Sequence, residues 1–156
     1  MSTDDTLSPK ESPRRVILPH TPPDFVKCGA VFFITVCALP RGIPSLTPPE
    51  TWPVLRNAAV HYHRVNRWHL HLLLAMPDHV HLLVSFPEEE SMHRVVAAWK
   101  HYVAGHASIT WQRDFFDHRL RGDESFDEKA TYIRLNPVRA KLVANESDWP
   151  CVWSAR

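Results

Sequence analysis

The stretch Trp68–Phe86, WHLHLLLAMPDHVHLLVSF, holds two short apolar runs separated by Met76-Pro77-Asp78. Each run is rich in Leu and Val, and runs of this length bounded by turn residues are typical of buried strands. A Pro-Asp dipeptide favours a tight turn between them. We therefore predict a β-hairpin with strands at Trp68–Ala75 and His79–Phe86.

The elements on either side of this hairpin predict one fold class. The β-branched and aromatic run Ala30–Cys37 predicts a strand, and apolar residues at helical spacing predict helices over Glu50–Asn66 and from Met92 onward. Phe115–Arg121 alternates as a strand does, and a capping box at Ser125–Glu128 opens a last helix that ends near Asn136, before Pro137. The order β-α-β-β-α-β-α predicts an α+β, ferredoxin-like antiparallel sheet with two helices on one face and an extra C-terminal helix.

Composition bounds the class of protein. The 156 residues suggest one domain, and 44% hydrophobic residues suffice for a core. The formal net charge of +1 predicts no strongly basic surface, so any DNA-binding charge must be locally clustered. With only 4 glycines and no GxGxxG or GxxxxGK, a nucleotide-binding loop is excluded. The 3 cysteines form no CxxC, which fits a reducing cytosol.

The polar composition of residues 1–13 predicts a disordered tail, followed by a single domain over residues 14–156. The N-terminus lacks the apolar core of a secretory signal. No apolar run approaches the roughly 18 residues needed to span a bilayer. We therefore expect a cytoplasmic protein with no membrane partner.

Eleven histidines are many for this length, and several form H-x-H pairs: His61/His63, His69/His71 and His79/His81. The first pair lies on a predicted helix, where residues i and i+2 point about 200° apart, as at a solvated helix end. The other two lie on strands, where i and i+2 share a face. With His79 opposite about Leu74, the two strand pairs are too far apart to form one site. Spacing alone favours a surface or half-buried pair over a metal site in each case.

One of the 3 tyrosines stands apart from the helical apolar patterns. Tyr62 and Tyr102 are explained as core or half-buried side chains. Tyr132 lies on the flank of the stripe formed by Phe126, Ala130 and Ile133. Spacing alone favours a tyrosine that covers the edge of the core.

Three segments then carry a family resemblance: MPDHVHLLV, WQRDFFDHRLR and YIRLNPVRA, in this order. They resemble the signature of the REP-associated tyrosine transposases, which belong to the single-tyrosine HUH transposases (His, bulky hydrophobic residue, His), the insertion-sequence-200-like group. The resemblance runs from about Arg14 to Trp153. It implies a DNA-nicking and strand-transferring enzyme that acts on single-stranded or hairpin DNA with palindromic repeats.

The resemblance also implies roles for individual residues. His79 and His81 would hold a divalent metal ion, Mg²⁺ or Mn²⁺, with Asn136 as a third ligand. Tyr132, four residues before Asn136, would be the nucleophile that forms a 5′-phosphotyrosine intermediate. Candidate DNA contacts are Arg14, Arg15, Lys100, His101, Trp111 as a base-stacking residue, Arg113, His118, Arg119, Arg121, Arg139 and Lys141. His118 faces either the site or the core.

Two alternatives stay open from the sequence. One is a non-catalytic, sequence-specific DNA-hairpin-binding protein derived from a transposase. The other is a histidine-rich protein that binds zinc or nickel through any H-x-H pair. We expect a monomer rather than a dimer, acting in the bacterial cytoplasm at the nucleoid. The chain ends soon after WPCVWSAR, so we expect no further C-terminal DNA-binding extension.

Overall fold

The computed structural model describes residues 29–155 and contains the predicted order of elements, with additions. The elements are β1 (Phe32–Leu39), α1 (Trp52–Arg64), β2 (His69–Ala75), β3 (His79–Ser85), α2 (Met92–Ala107), β4 (Thr110–Trp111), β5 (Phe116–Arg119), α3 (Phe126–Arg134), α4 (Asn136–Arg139) and β6 (Val152–Ser154). The short elements β4, α4 and β6 were not predicted. Within the described residues, no helix is long and apolar enough to cross a membrane.

All strands form one antiparallel sheet in the order β4-β1-β3-β2-β6, and β5 also pairs with β1. The outer edge of β1 is shared, because β4 pairs with Ala38 and Leu39 while β5 pairs with Phe32 to Thr35. The predicted fourth strand is therefore the shorter β5. The arrangement of β1, β2, β3 and the β4/β5 edge confirms the ferredoxin-like α+β fold.

The central hairpin turns more tightly than expected. The backbone N–H of Met76 donates to the carbonyl of His79 at 2.8 Å, so Pro77 and Asp78 alone form the turn. Leu74 consequently pairs with His81, and the expected pairing of Leu74 with His79 is wrong by two residues. This register still places the two strand histidine pairs at opposite ends of the hairpin.

The sheet is covered on both faces. Val80, Leu82 and Val84 of β3 are fully buried in the core beneath α1 and α2. Ala130 and Ile133 of α3 pack on the opposite face, in a second core with Phe33, Leu72, Leu74, Met76 and Leu83. Because side chains alternate along a strand, His79 and His81 lie on the α3 face. The extra helix thus covers the sheet face that carries this pair.

Helix ends follow local sequence signals. Ser125 Oγ accepts a hydrogen bond from the Glu128 N–H at 3.3 Å, which confirms the predicted start of α3. Instead of ending the helical path, Pro137 lies in the first turn of α4, where no backbone N–H is needed. The chain therefore turns back beside α3 and brings Arg139 to Tyr132.

Candidate active site on the α3 face of the sheet

The rings of His79 and His81 lie side by side, with centroids 4.8 Å apart. His79 Nδ1 donates to Asp78 Oδ1 at 2.8 Å, and His81 Nδ1 hydrogen-bonds Thr35 Oγ1 at 3.0 Å. Because a carboxylate only accepts, His79 carries its proton on Nδ1, which leaves a lone pair on Nε2 of the neutral ring. The Thr35 hydroxyl can donate or accept, and the same tautomer of His81 would leave its Nε2 free as well. Metal-binding histidines in proteins show this pattern, one ring nitrogen held by an outer partner and the other free for the metal.

The two histidines differ in exposure. His81 is 8% exposed and its ring stacks on Phe33 with centroids 5.4 Å apart. Burial, followed by the nearby charges of His79 and Arg139, lowers the pKa of His81 to about 3. His81 is therefore neutral at physiological pH, as a metal ligand must be. The side chain of His79 is more open, at 22% exposure.

Asp78 links His79 to the loop after β1. Its Oδ2 accepts from the Gly42 N–H at 2.8 Å and lies 3.1 Å from Arg41 Nε. Although burial raises it, the hydrogen bonds from His79 and Gly42 and the charge of Arg41 hold the pKa of the Asp78 carboxyl below its usual value. Asp78 thus orients His79 as an anionic acceptor. Sequence reasoning missed this residue, whose only signal was a carboxylate directly before the H-x-H pair.

Tyr132 lies at the surface between two cations. Tyr132 is 49% exposed, so its side chain does not cover the edge of the core, which spacing alone had favoured. The Arg139 guanidinium lies 4.2 Å from the ring centroid and donates to the Tyr132 carbonyl, while Lys129 Nζ lies 5.5 Å from the same ring. The Arg139 charge is also close enough to His81 to add to the lowering of the His81 pKa. Lys129 was missed, although its i−3 spacing from Tyr132 signalled the contact.

Asn136 starts α4, one turn after Tyr132. Its Nδ2 donates to the Tyr132 carbonyl at 3.4 Å, which leaves the amide oxygen as an acceptor. Within residues 29–155, no three His, Cys, Asp or Glu side chains gather in a way that would hold a metal ion. A metal ion at His79 and His81 would therefore need an oxygen donor of another kind, such as the amide that the sequence predicts, and mixed nitrogen and oxygen donors fit Mn²⁺ or Mg²⁺.

Two bacterial proteins of similar sequence carry one family name. No sequence-family profile matches the chain. The REP-associated tyrosine transposase of Escherichia coli (strain K12) is 28% identical over 126 residues, which cover 78% of this chain and 74% of that protein. A provisionally named REP-associated tyrosine transposase of Haemophilus influenzae is 27% identical over 146 residues, 81% of this chain and 80% of the relative.

A solved structure of the REP-associated tyrosine transposase bound to a REP hairpin superposes with a TM-score of 0.69 at 26% identity. The match covers 81% of this chain and 77% of that chain. This chain is a homologue of the REP-associated tyrosine transposases. The resemblance predicted from the three sequence segments is thereby confirmed.

The other histidine pairs of this transposase homologue lie away from His79 and His81. His63 accepts a hydrogen bond from the Leu70 N–H at 3.1 Å and its ring lies 4.8 Å from that of His69, so it is not at a solvated helix end as predicted. His71 Nε2 lies 3.0 Å from Ser85 Oγ. Burial, then His69 and His63, lowers the pKa of His71 to about 4. These rings join α1 to β2.

Two predicted DNA contacts on the α2 side have structural partners instead. Lys100 was expected on the polar side of its helix, but it is buried and its Nζ donates to the carbonyls of Gln112 at 2.8 Å and Arg113 at 3.0 Å. The loop after β4 folds over it, and burial lowers the pKa of its ammonium group. Trp111, predicted to stack a base, donates from Nε1 to the Lys100 carbonyl and packs 5.6 Å from the ring of Trp99.

The remaining predicted contacts are exposed or lie outside the described residues. His118 pairs opposite Phe33 and so lies on the α3 face, where its Nε2 is 2.9 Å from the Glu124 carboxylate. Together with Arg119 and Arg121 it lines a cavity of about 490 Å³. His101, Arg113, Arg139 and Lys141 are exposed. Arg14 and Arg15 fall outside residues 29–155.

Proposed function

We propose that this transposase homologue nicks and rejoins single-stranded, palindromic hairpin DNA through a covalent 5′-phosphotyrosine link to Tyr132. The observation that carries the proposal is the placement of three groups on one sheet face. His79 and His81 lie on the sheet face that α3 covers, Tyr132 lies on α3, and Arg139 contacts the Tyr132 ring. The REP hairpin bound to the related transposase supports hairpin DNA as the substrate.

His79, His81 and Asn136 would hold Mg²⁺ or Mn²⁺. When bound, the ion would polarise a non-bridging oxygen of the scissile phosphate and orient that phosphate for in-line attack. The protein's own contribution is to fix the donors. Asp78 and Thr35 hold the two imidazole rings, and burial keeps His81 neutral.

The reaction is a transesterification. Tyr132 Oη attacks the phosphorus, a new P–O bond to the tyrosine forms, and the bond between phosphorus and the 3′ oxygen breaks. The phenol proton passes to solvent, and the departing 3′ oxygen takes up a proton. A 3′-hydroxyl of another strand then attacks the phosphotyrosine and releases Tyr132, so no nucleotide cofactor is consumed. The charges of Arg139 and Lys129 beside the ring would attract the phosphate.

The exposed cations Arg113, Arg119, Arg121 and Arg139 are the proposed phosphate contacts. Because such contacts release counterions, we expect hairpin affinity to fall steeply with salt. We propose a monomer that acts on chromosomal DNA in the bacterial cytoplasm. Both curated relatives are bacterial proteins.

Covalent capture tests the proposal. The protein is mixed with labelled oligonucleotides that carry the palindromes flanking its gene, with Mn²⁺, Mg²⁺ or EDTA, and run on a denaturing gel. We expect a denaturation-resistant protein–DNA band that requires the metal ion. A native-gel shift without a covalent band would instead support the alternative of a hairpin-binding protein without catalysis, which the hairpin-bound relative also favours.

Asp78, the hydrogen-bond partner that orients the His79 ring, gives a separate prediction. Asp78→Ala is expected to weaken Mn²⁺ binding by about 10- to 100-fold, because the loss of an outer carboxylate frees the ring it orients. Asp78→Asn, which keeps an acceptor oxygen without the charge, should lose less. Isothermal titration with Mn²⁺ measures both. Asp148→Ala, which removes an exposed carboxylate bonded to Asn145, is the control. An unchanged Mn²⁺ affinity in Asp78→Ala would show that Asp78 does not orient His79 for metal binding.

A further inference from the structure

The two helices on the other face of the sheet carry basic but no acidic side chains, and the acidic residues Glu50 and Glu90 lie just before them in the chain. Neither α1 (WPVLRNAAVHYHR) nor α2 (MHRVVAAWKHYVAGHA) contains an Asp or Glu, although the chain has 17 such residues. The two helices carry Arg56, Arg64 and Arg94, none of them fully buried. These side chains are the cations that this layer could offer to the phosphates of a polyanion.

Between these helices lies an open groove of about 650 Å³ with an aromatic wall. Tyr102 of α2 is 44% exposed, and its ring stacks on that of His106 with centroids 3.9 Å apart and an interplanar angle of 17°. His106 Nδ1 donates to the Tyr102 carbonyl at 2.8 Å, which holds the two rings in a face-to-face stack, called here the Tyr102–His106 plate. His61 and Tyr62 of α1 line the same groove. An exposed, fixed aromatic plate suits a flat apolar ligand such as an unpaired base.

A second hollow of about 320 Å³ continues this groove across α1. Asn57 lines both hollows, and Arg56, Arg64 and Trp153 line the second. The path therefore runs from the Tyr102–His106 plate, past an amide, to two guanidinium groups beside an indole. Aromatic rings and arginines along one path match the alternation of bases and phosphates in a single strand.

We propose that the surface formed by these two hollows binds single-stranded DNA, as a second contact surface on the opposite side of the sheet from His79, His81 and Tyr132. A base stacks on the Tyr102–His106 plate, and Arg56 and Arg64 contact phosphates. A duplex keeps its base faces stacked inside, so only an unpaired stretch of the substrate fits. The inference rests on the proposed function for the choice of DNA as ligand, but not on metal binding or on Tyr132 chemistry.

The test measures binding of a fluorescent oligothymidylate in EDTA, where no strand is cleaved. Tyr102→Ala is expected to weaken binding by about 5- to 100-fold, the range for loss of one stacked base. Tyr102→Phe keeps the ring and should bind like the wild type. Leu142→Ala, at a position that is also 44% exposed, is the control for removal of a surface side chain. In Arg56→Gln/Arg64→Gln, the slope of log affinity against log salt should fall by about 1.4, for two phosphate contacts.

Photocrosslinking of wild-type protein keeps the inference testable if a variant misfolds. An oligonucleotide with 5-iododeoxyuridine should crosslink to Tyr102 or Trp153. Crosslinks confined to β3 and α3, or affinities within about twofold of wild type in Tyr102→Ala, would overturn it. A wild-type protein that forms the covalent band but fails this test keeps the proposed function and loses only the second surface. Crosslinks at Tyr102 without a covalent band would support the second surface and contradict the proposed function.

Discussion

Replacing Tyr132 by Phe is expected to abolish the covalent protein–DNA band, with a loss of at least ~10³-fold in adduct formation, because it removes the attacking oxygen. The ring stays in place, so the contacts with Arg139 at 4.2 Å and Lys129 at 5.5 Å are retained. Hairpin affinity in a native gel should therefore stay within about twofold of wild type. The denaturing gel measures the first effect and the native gel the second.

Tyr102→Phe is the matched control for this experiment. Tyr102 is 44% exposed and Tyr132 is 49% exposed, and each lies on a helix. Only the Tyr132 hydroxyl lies on the α3 face, and Tyr102→Phe keeps the ring proposed to stack a base, so Tyr102→Phe should keep the covalent band. If Tyr132→Phe also kept the band, another residue would be the nucleophile. A band lost in both variants would point to a general defect in DNA binding.

The second large effect is expected at the histidine pair. His79→Ala should weaken Mn²⁺ binding by more than ~100-fold, since loss of a ligand exceeds the 10- to 100-fold cost of losing an outer partner. The metal-dependent covalent band should fall by a similar factor. His81→Ala should do the same and should also lower the free energy of unfolding, because it removes a buried ring that stacks on Phe33 and bonds to Thr35. Metal titration and urea unfolding separate the two effects.

His69→Ala is the matched control for His79→Ala. His69 is exposed, starts a strand of the same hairpin and belongs to another H-x-H pair. We expect it to leave metal affinity and the covalent band unchanged. A loss of metal affinity in His69→Ala but not in His79→Ala would favour the alternative of a histidine-rich metal-binding protein and would contradict the proposed site.

The central part of the fold was predictable because its pattern is strong and local. Val80, Leu82 and Val84 occupy alternate positions after His79 and His81, and all three are fully buried as predicted. The two-residue β4 and three-residue β6 were missed because strands of that length show no periodicity. Phe126, predicted on the apolar stripe of α3, is 38% exposed, and its ring contacts that of His71 with centroids 5.3 Å apart.

In the candidate site too, the features that depend on one element were predictable and the contacts between elements were not. Sequence spacing identified which histidines share a strand face and placed Tyr132 off the apolar stripe of its helix, since both depend only on the period of one element. The burial of Lys100 was not predictable, because it depends on a loop that returns over α2. The contact of Arg139 with Tyr132 depends on α4 continuing past Pro137.

By itself, therefore, the sequence determined the long elements, their order and the residues proposed for the chemistry. Only the tertiary structure decided what holds those residues. Thr35 reaches His81 across 46 residues of chain, and Asp78 meets Arg41 and Gly42 from a separate loop. The placement of α3 over the histidine face is also a tertiary result. Strand register and helix packing are set by contacts between distant segments, and the periodicity of a single segment carries no information about them.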